Sequence, residues 1–596
     1  MRKALLRACA LAAVSNFLFS GHAAAQPCDF WCQLWSAIEE GRRAEGSVDD
    51  PATEADESAG AGSDGRVSRE ASSRQLPSPA LSEFLETVPA DPAAQVEKPY
   101  SVRVTEVSSD SIYFEEIEES ITAGEGDPGI DQVIQDETRL LILFRSTVTP
   151  AEASSALQEY SLRVVTTIPG IGAVSVDGAE AIERFGYARS GGSATTFKKL
   201  RKSPVNRLAQ RLRRDPRFEA VTPELVLTTT QIRSVITPQD SGPDNEDDAI
   251  TAGDDDLAGD EIASESATVG GDERLDWGIE ASKVNEVWGL LTADPVIVGV
   301  VDAGFADHED LPLTRGSDVR WRRSNHGNHV AGIMCARHNG RGARGVIPNC
   351  EVRAATNSFA LSSVVEEVSD FSDDEVRDTR ALFGQFLASI DDFIEKNPDA
   401  KVVNVSLGLN WMPRYGKDPR SKESKQIRKY IQEMSIFAYR ILARAKARDI
   451  IIFSAAGNDS TDLRKIKTPI DAKWSSPINF ASLMIQNTDG WSNAVVVEAY
   501  DKNEKRAKMS NVAGAIACPG KDIFSATAKK PDSYGMMSGT SMASPYCAAA
   551  FAALRSINPD VPVRRLLACF LNPPSKIENR VPKMDLKAAT IACGQI

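Results

Sequence analysis

Histidine is scarce in this chain, five among 596 residues, and one of them, His22, lies close to the N-terminal end. General-base chemistry by an imidazole therefore rests on His308, His326, His329 or His338. Long apolar runs are missing as well. None approaches the ~18 residues that a membrane-crossing helix needs, so no membrane anchor is expected. From residue 240 to 273 there is no lysine or arginine, while Asp and Glu are frequent. That stretch reads as a solvated tether. With a net charge of -16 the chain also lacks the clustered basic surface that a phosphate backbone requires, which argues against nucleic acid as a partner.

What is present is a globular composition, 42% hydrophobic and 26% charged, on a chain too long for a single core. The first residues run from a basic start (Arg2, Lys3, Arg7) through the apolar stretch 8–19 to Ala23-Ala24-Ala25. This is the layout of a cleaved secretory signal over residues 1–25, and it predicts a secreted or periplasmic protein. An oxidising compartment permits disulfides. Cys9 leaves with the signal, and Cys28, Cys32, Cys335, Cys350, Cys518, Cys547, Cys569 and Cys593 remain. Eight cysteines allow ~105 complete pairings. The near-neighbour pairs Cys28 with Cys32, Cys335 with Cys350 and Cys569 with Cys593 are expected, isolated buried thiols being the alternative.

Residues 26–136 are rich in Ser, Ala, Pro, Glu and Asp and carry too little apolar surface to offset ordering entropy. They read as disordered, except for an amphipathic turn around Phe30, Trp31, Leu34 and Trp35. Over 137–231 the pattern is β-α-β-β-α-β: a strand at 140–144, a helix at 149–160, two strands within 162–176 turning at Pro169-Gly170, a basic helix at 205–214 and a strand at 218–227. This predicts a small α+β domain of ferredoxin-like type. An acidic linker, 232–274, follows. From 275 to 596, short apolar runs at 296–302, 351–355, 402–406, 450–455 and 495–499 alternate with helical stretches, notably 381–395, 427–446 and 541–554. Such runs are strands buried on both faces, so the fold class is α/β, a three-layer, mainly parallel sheet with helices on both sides. In these sheets chemistry sits at the carboxyl ends of the strands.

Three segments stand in such places. Val300-Val301-Asp302-Ala303-Gly304 ends a strand, Asn325-His326-Gly327-Asn328-His329-Val330-Ala331-Gly332 starts a helix, and Gly539-Thr540-Ser541-Met542-Ala543-Ser544-Pro545 starts another. In chain order they resemble the Asp, His and Ser motifs of the subtilisin-like serine proteases, a resemblance that spans most of 277–585. It implies a serine endopeptidase in which Ser541 attacks the peptide carbonyl, His326 takes and returns the proton, and Asp302 orients the imidazole. His329 is then a packed structural residue. Phe453-Ser454-Ala455-Ala456-Gly457-Asn458 resembles the segment with the family's oxyanion-hole asparagine, which assigns that role to Asn458 together with the Ser541 N–H. Ser406-Leu407-Gly408 resembles the strand that pairs with an extended substrate, and with Ala455, Ala456 and Gly457 it is expected to wall the pocket for the residue before the scissile bond. Two positions depart from the family pattern. Ala303 stands where Thr or Ser is usual, which removes a hydroxyl donor to the Asp302 carboxylate, and Asn328 replaces a Thr.

The chemistry so implied requires no cofactor, and its substrates are proteins or peptides. The resemblance places Asp310 and Asn339 at the family's strong calcium site, with the 337–343 loop matching in length, although Arg337, Arg341 and Arg344 crowd it. His326, His329, Cys335 and His338 lie close enough to be weighed as zinc ligands, against which stand the triad role of His326 and a disulfide partner for Cys335. The small domain resembles, in pattern and position, the propeptide of subtilisins. That implies a zymogen whose own prodomain is an intramolecular inhibitor, with the tail from Glu224 to Thr230 in the cleft and cleavage close to Thr230 or in the tether. A permanently attached accessory domain is the other reading. A catalytically silent scaffold is the competing function, opposed by the joint presence of Ser541, His326, Asp302 and Asn458. An esterase of the Gly-x-Ser-x-Gly type would place Ser before His.

Overall fold

The computed structural model describes residues 75–90, 135–187, 203–229, 273–317, 323–356, 380–409, 411, 417–422, 424–460, 466–578 and 580–594. The expected signal, the expected turn around Phe30 to Trp35, Cys28 and Cys32, the tether up to residue 272 and most of the acidic, polar stretch 358–380 lie outside them. The chain divides into two units. Residues 1–61 with 485–491 form one, whose described part is the end of a helix and the turn after it. Residues 62–484 and 492–596 form the other, which holds both domains that follow.

The small domain begins earlier than its composition suggests. Helix α1 (Pro79–Thr87), capped by the Ser78 hydroxyl and opened by Pro79, lies inside the segment expected to be disordered. Its Leu81 and Leu85 are fully buried in the small domain's core, and Ser82 donates to the carbonyl of Pro169. Two leucines one turn apart cannot stabilise a helix alone, so α1 owes its order to this docking. Then come β1 (Gln135–Phe144), α2 (Pro150–Glu159), β2 (Arg163–Ile168), β3 (Ala173–Asp177), the short α3 (Ala179–Arg184), α4 (Pro204–Leu212) and β4 (Phe218–Thr229). α2 starts with a capping box between Thr149 and Glu152. The strands pair antiparallel in the order β4-β1-β3-β2, the split β-α-β arrangement expected.

The large domain is built on β5 (Val296–Asp302), β6 (Leu313–Arg315), α5 (Asn325–Cys335), β7 (Cys350–Thr356), β8 (Arg380–Leu382), α6 (Phe383–Lys396), β9 (Val402–Val405), β10 (Leu407–Gly408), α7 (Lys425–Ala447), β11 (Ile451–Ala455), α8 (Pro477–Asp489), β12 (Ala494–Tyr500), β13 (Ile516–Pro519), β14 (Ile523–Ala526), β15 (Tyr534–Met537) and α9 (Thr540–Ile557). Its seven-stranded sheet runs β13-β12-β11-β9-β5-β7-β6. Every pairing in it is parallel. The central strands β5, β9 and β11 are buried nearly throughout, which is why they read as unbroken apolar runs. The expected disulfides Cys335–Cys350 and Cys569–Cys593 are formed, and Cys518 pairs with Cys547, tying β13 to α9.

α6 and α7 carry the small domain's sheet. Arg440 on α7, 1% exposed, pairs with Glu219 of β4, and Arg213 reaches Glu433 at 2.7 Å. The fully buried Glu224 accepts the N–H of Gly384 at 2.7 Å, at the first turn of α6, while the Ser175 hydroxyl holds its other oxygen. A carboxylate there meets both the orphan N–H groups and the positive end of the helix.

Candidate active site

Asp302 is the last residue of β5 and α5 starts just beyond Ser324, whose hydroxyl accepts the Gly327 N–H. A Cβ at Gly327 would sit 1.9 Å from the Gly304 oxygen, so only glycine lets this helix start close against the strand end. That approach sets the His326 Nδ1 2.7 Å from Asp302 Oδ1, with the two side chains 2% and 0% exposed. The Ala303 N–H donates to the same oxygen at 2.7 Å. Oδ2 of Asp302 is buried without a partner, as the alanine at 303 would leave it. With Nδ1 directed at the carboxylate, Nε2 is the other ring nitrogen, and it is buried and makes no hydrogen bond in this structure. Asn328, the other departure, exchanges two hydrogen bonds with the Ala306 backbone, at 2.9 and 3.1 Å, and so pins α5 to the loop after Asp302.

Ser541 lies at the N-terminal turn of α9, fully buried. Asn458 follows β11, and its Oδ1 accepts from the N–H and hydroxyl of Thr540 at 2.9 and 3.0 Å. This fixes the amide with its NH2 as the donor end, on the neighbour of the serine. Gly457 donates to the same threonine hydroxyl at 3.0 Å and sits at φ 98°, where an added Cβ would meet the Ser475 hydroxyl at 2.1 Å. Behind the serine lies a buried polar chain: Ser544 donates to Asn404 at 2.6 Å, Asn404 to the Ser406 hydroxyl at 3.1 Å, and Ser406 to the Ser541 carbonyl at 3.5 Å. Asn511 braces the 456–460 loop, donating to the Ala456 carbonyl at 3.0 Å and accepting the Asp459 N–H. Neither asparagine was foreseen. The cue for Asn404 was there, an amide inside Val402-Val403-Asn404-Val405, since a buried polar group needs partners.

The end of β4 forms a strand between β8 and β10. Val226, Leu227 and Thr228 pair with Leu382, Ala381 and Arg380, and Thr228 and Thr229 pair with Gly408 and Leu407, antiparallel on both sides. Ser406, Leu407 and Gly408 thus flank an extended segment of the chain itself. Ala455, Ala456 and Gly457 lie at the end of the neighbouring β11, each buried or nearly so.

The zinc alternative is not assembled. Cys335 is in a disulfide, His329 Nε2 faces the carbonyls of Ile523 and Gly535 at 3.0 and 3.2 Å, and His338 Nε2 faces that of Gly345 at 2.9 Å. Among the described residues no group of three or more His, Cys, Asp or Glu could hold a metal. Burial pushes His329 down to about 3 and lowers His308 and His338 as well, so these rings are held neutral. Asp310 and Asn339 are adjacent, the amide donating to the carboxylate at 3.0 Å. Among the described residues no helix is long and apolar enough to cross a membrane.

Residues 293–574 match the sequence model of the Subtilase family. The minor extracellular protease Epr of Bacillus subtilis (strain 168) is 26% identical over 292 residues, 48% of this chain and 36% of that protein. Subtilisin Savinase of Lederbergia lenta is 24% identical over 301 residues, 48% of this chain and 86% of that protein. The match thus spans about a third of Epr's length. Among solved structures, fervidolysin from Fervidobacterium pennivorans, a keratinolytic enzyme related to subtilisin, covers 78% of this chain and 62% of its own at 17% identity, with a TM-score of 0.43. The parallel sheet and the Asp, His and Ser segments all lie inside the region that is similar to the Subtilase family and to these extracellular and subtilisin-type proteases.

Proposed function

We propose that the protein is a secreted serine endopeptidase made as a zymogen, with Asp302, His326 and Ser541 as its triad and Asn458 as an oxyanion donor. The buried Asp302–His326 hydrogen bond, 2.7 Å long, carries the reading. Nε2 of His326 accepts the Ser541 proton as the hydroxyl attacks the peptide carbon, and Asp302 stabilises the imidazolium that forms. The charge developing on the carbonyl oxygen is met by the Asn458 amide and the Ser541 N–H at the positive end of α9. His326 then protonates the leaving amine, and water, activated by the same imidazole, hydrolyses the acyl-serine.

The pairing of β4 with both β8 and β10 supports the zymogen reading, because an extended segment in that position occupies the place of a substrate backbone. The small domain is the inhibitor, its tail ending near Thr230 as a product would, and release requires cutting there or in the acidic tether. A fluorophosphonate probe on the purified, exported protein tests this, beside Ser541→Ala, with N-terminal sequencing of the fragments. Label on the parent only, with a processed form that the variant lacks, is expected. No label even after added protease has removed the small domain and tether would refute the enzyme reading and leave a silent scaffold.

A further inference from the structure

We infer that the 337–344 loop is built to hold the carboxylate of Glu273, so that the N-terminal border of the large domain, in place of a calcium ion, locks this loop. A calcium site turns about six to eight oxygens inward at ~2.3–2.6 Å. Here the groups turned inward are donors. The N–H groups of Asn339 and Gly340 point to Glu273 Oε1 at 2.8 and 3.2 Å, and the Arg344 guanidinium holds Oε2, its Nε at 2.6 Å. The Glu273 side chain is only 5% exposed. Asn339 is oriented by its Oδ1, which accepts the Arg341 N–H at 3.1 Å, so it presents its NH2 to Asp310 and acts as a donor there. The second oxygen of Asp310 accepts the Ala343 N–H at 3.3 Å. A cation drawn to the Glu273 and Asp310 carboxylates would meet three backbone N–H groups, the Asn339 amide NH2 and the Arg344 guanidinium, which already take those oxygens and repel it.

The lock continues along the chain. Arg274 N–H donates to the Gly342 carbonyl at 2.8 Å, and its guanidinium lies 4.6 Å from the centre of the Phe524 ring. The buried Asp276 accepts from the Tyr546 hydroxyl at 2.7 Å and from the N–H groups of Gly278 and Phe524 at 2.8 and 3.0 Å. Tyr546 belongs to α9, the helix that Ser541 begins, so residues 273–276 join the loop to the helix under the active site. Processing of the tether that preserves this lock must end before Glu273.

Thermal unfolding of the full-length Ser541→Ala protein, in EDTA and in added calcium chloride, tests the assignment without relying on activity. The expected result is one Tm in both conditions and a lower Tm for Glu273→Gln and Arg344→Gln that calcium does not restore. Terbium emission sensitised by Tyr534 or Trp288 should be the same in the parent and in Asp310→Asn. A calcium-dependent rise in Tm or a terbium signal that Asp310→Asn abolishes would overturn the inference, as would an unchanged Tm in Glu273→Gln.

Discussion

Acid should destabilise this protein through His329, a residue that does no chemistry. Its ring is completely buried on α5, with Nε2–H directed at the carbonyls of Ile523 and Gly535 and Nδ1 without a partner. Protonation would place an uncompensated charge in the core, and burial accordingly pushes the pKa from 6.5 down to about 3. Below pH 6.5 the unfolded chain takes up this proton and the folded one does not, so the unfolded state binds more protons and stability falls as pH falls. At about 1.36 kcal/mol per unit, the loss is about 2 kcal/mol at pH 5 and approaches about 5 kcal/mol near pH 3. Above pH 6.5 the contribution is complete and flat. The assay is urea unfolding of the Ser541→Ala protein at pH 7.5 and 5, followed by tryptophan fluorescence, in parent and His329→Gln. Glutamine keeps an N–H donor and does not titrate. His308 and His338, lowered by burial, act with the same sign, and Asp310, raised to about 6 by burial, with the opposite sign. All three remain in the variant and cancel in the comparison. The stability difference between the two pH values should shrink by about 2 kcal/mol in His329→Gln. An unchanged difference would refute the argument.

Asn458→Ala removes the oxyanion donor proposed above and should lower kcat by about 100- to 1,000-fold with little change in KM, measured on a peptide substrate with the matured enzyme. Glu224→Ala leaves the Ser175 hydroxyl and the Gly384 N–H without their partner, a cost of about 1–3 kcal/mol. If the small domain inhibits as proposed, the inhibition constant of the separately added domain should rise by roughly 5- to 150-fold, read from the concentration dependence of inhibition. Replacing Cys518 and Cys547 together by serine opens the link between β13 and the helix of Ser541. It should cost about 2–4 kcal/mol in urea unfolding, while the parent under non-reducing conditions is unaffected.

Sequence reading succeeds where the information is local and fails where partners come from afar. The strand ends at Asp302 and Ala455 were legible because a strand buried on both faces needs an unbroken apolar run, and Gly304 and Gly457 stand two residues beyond them. β6 and β13 were missed. β6 is a short edge strand with exposed character, and β13 contains a cysteine and ends in proline, so neither has a pattern of its own. α1 was misjudged because Leu81 and Leu85 are sparse in their own segment and gain their burial from another. Its Ser78-Pro79 start was nevertheless a legible helix signal.

The loop at 337–344 shows the same limit within the site region. Asp310 and Asn339 have the residue types of an oxygen-ligand set, and loop length alone does not distinguish a ring of carbonyls from a ring of N–H donors. The distinction comes from Glu273, 66 residues upstream of Asn339, whose carboxylate determines which way those backbone groups face. Arg344 stands beside the loop in the sequence, and a guanidinium pairs with a carboxylate through charge-assisted hydrogen bonds. In a loop crowded by Arg337, Arg341 and Arg344, the acidic residue to look for was therefore a counter-ion, and the acidic stretch that ends at Glu273 was the place to look for it.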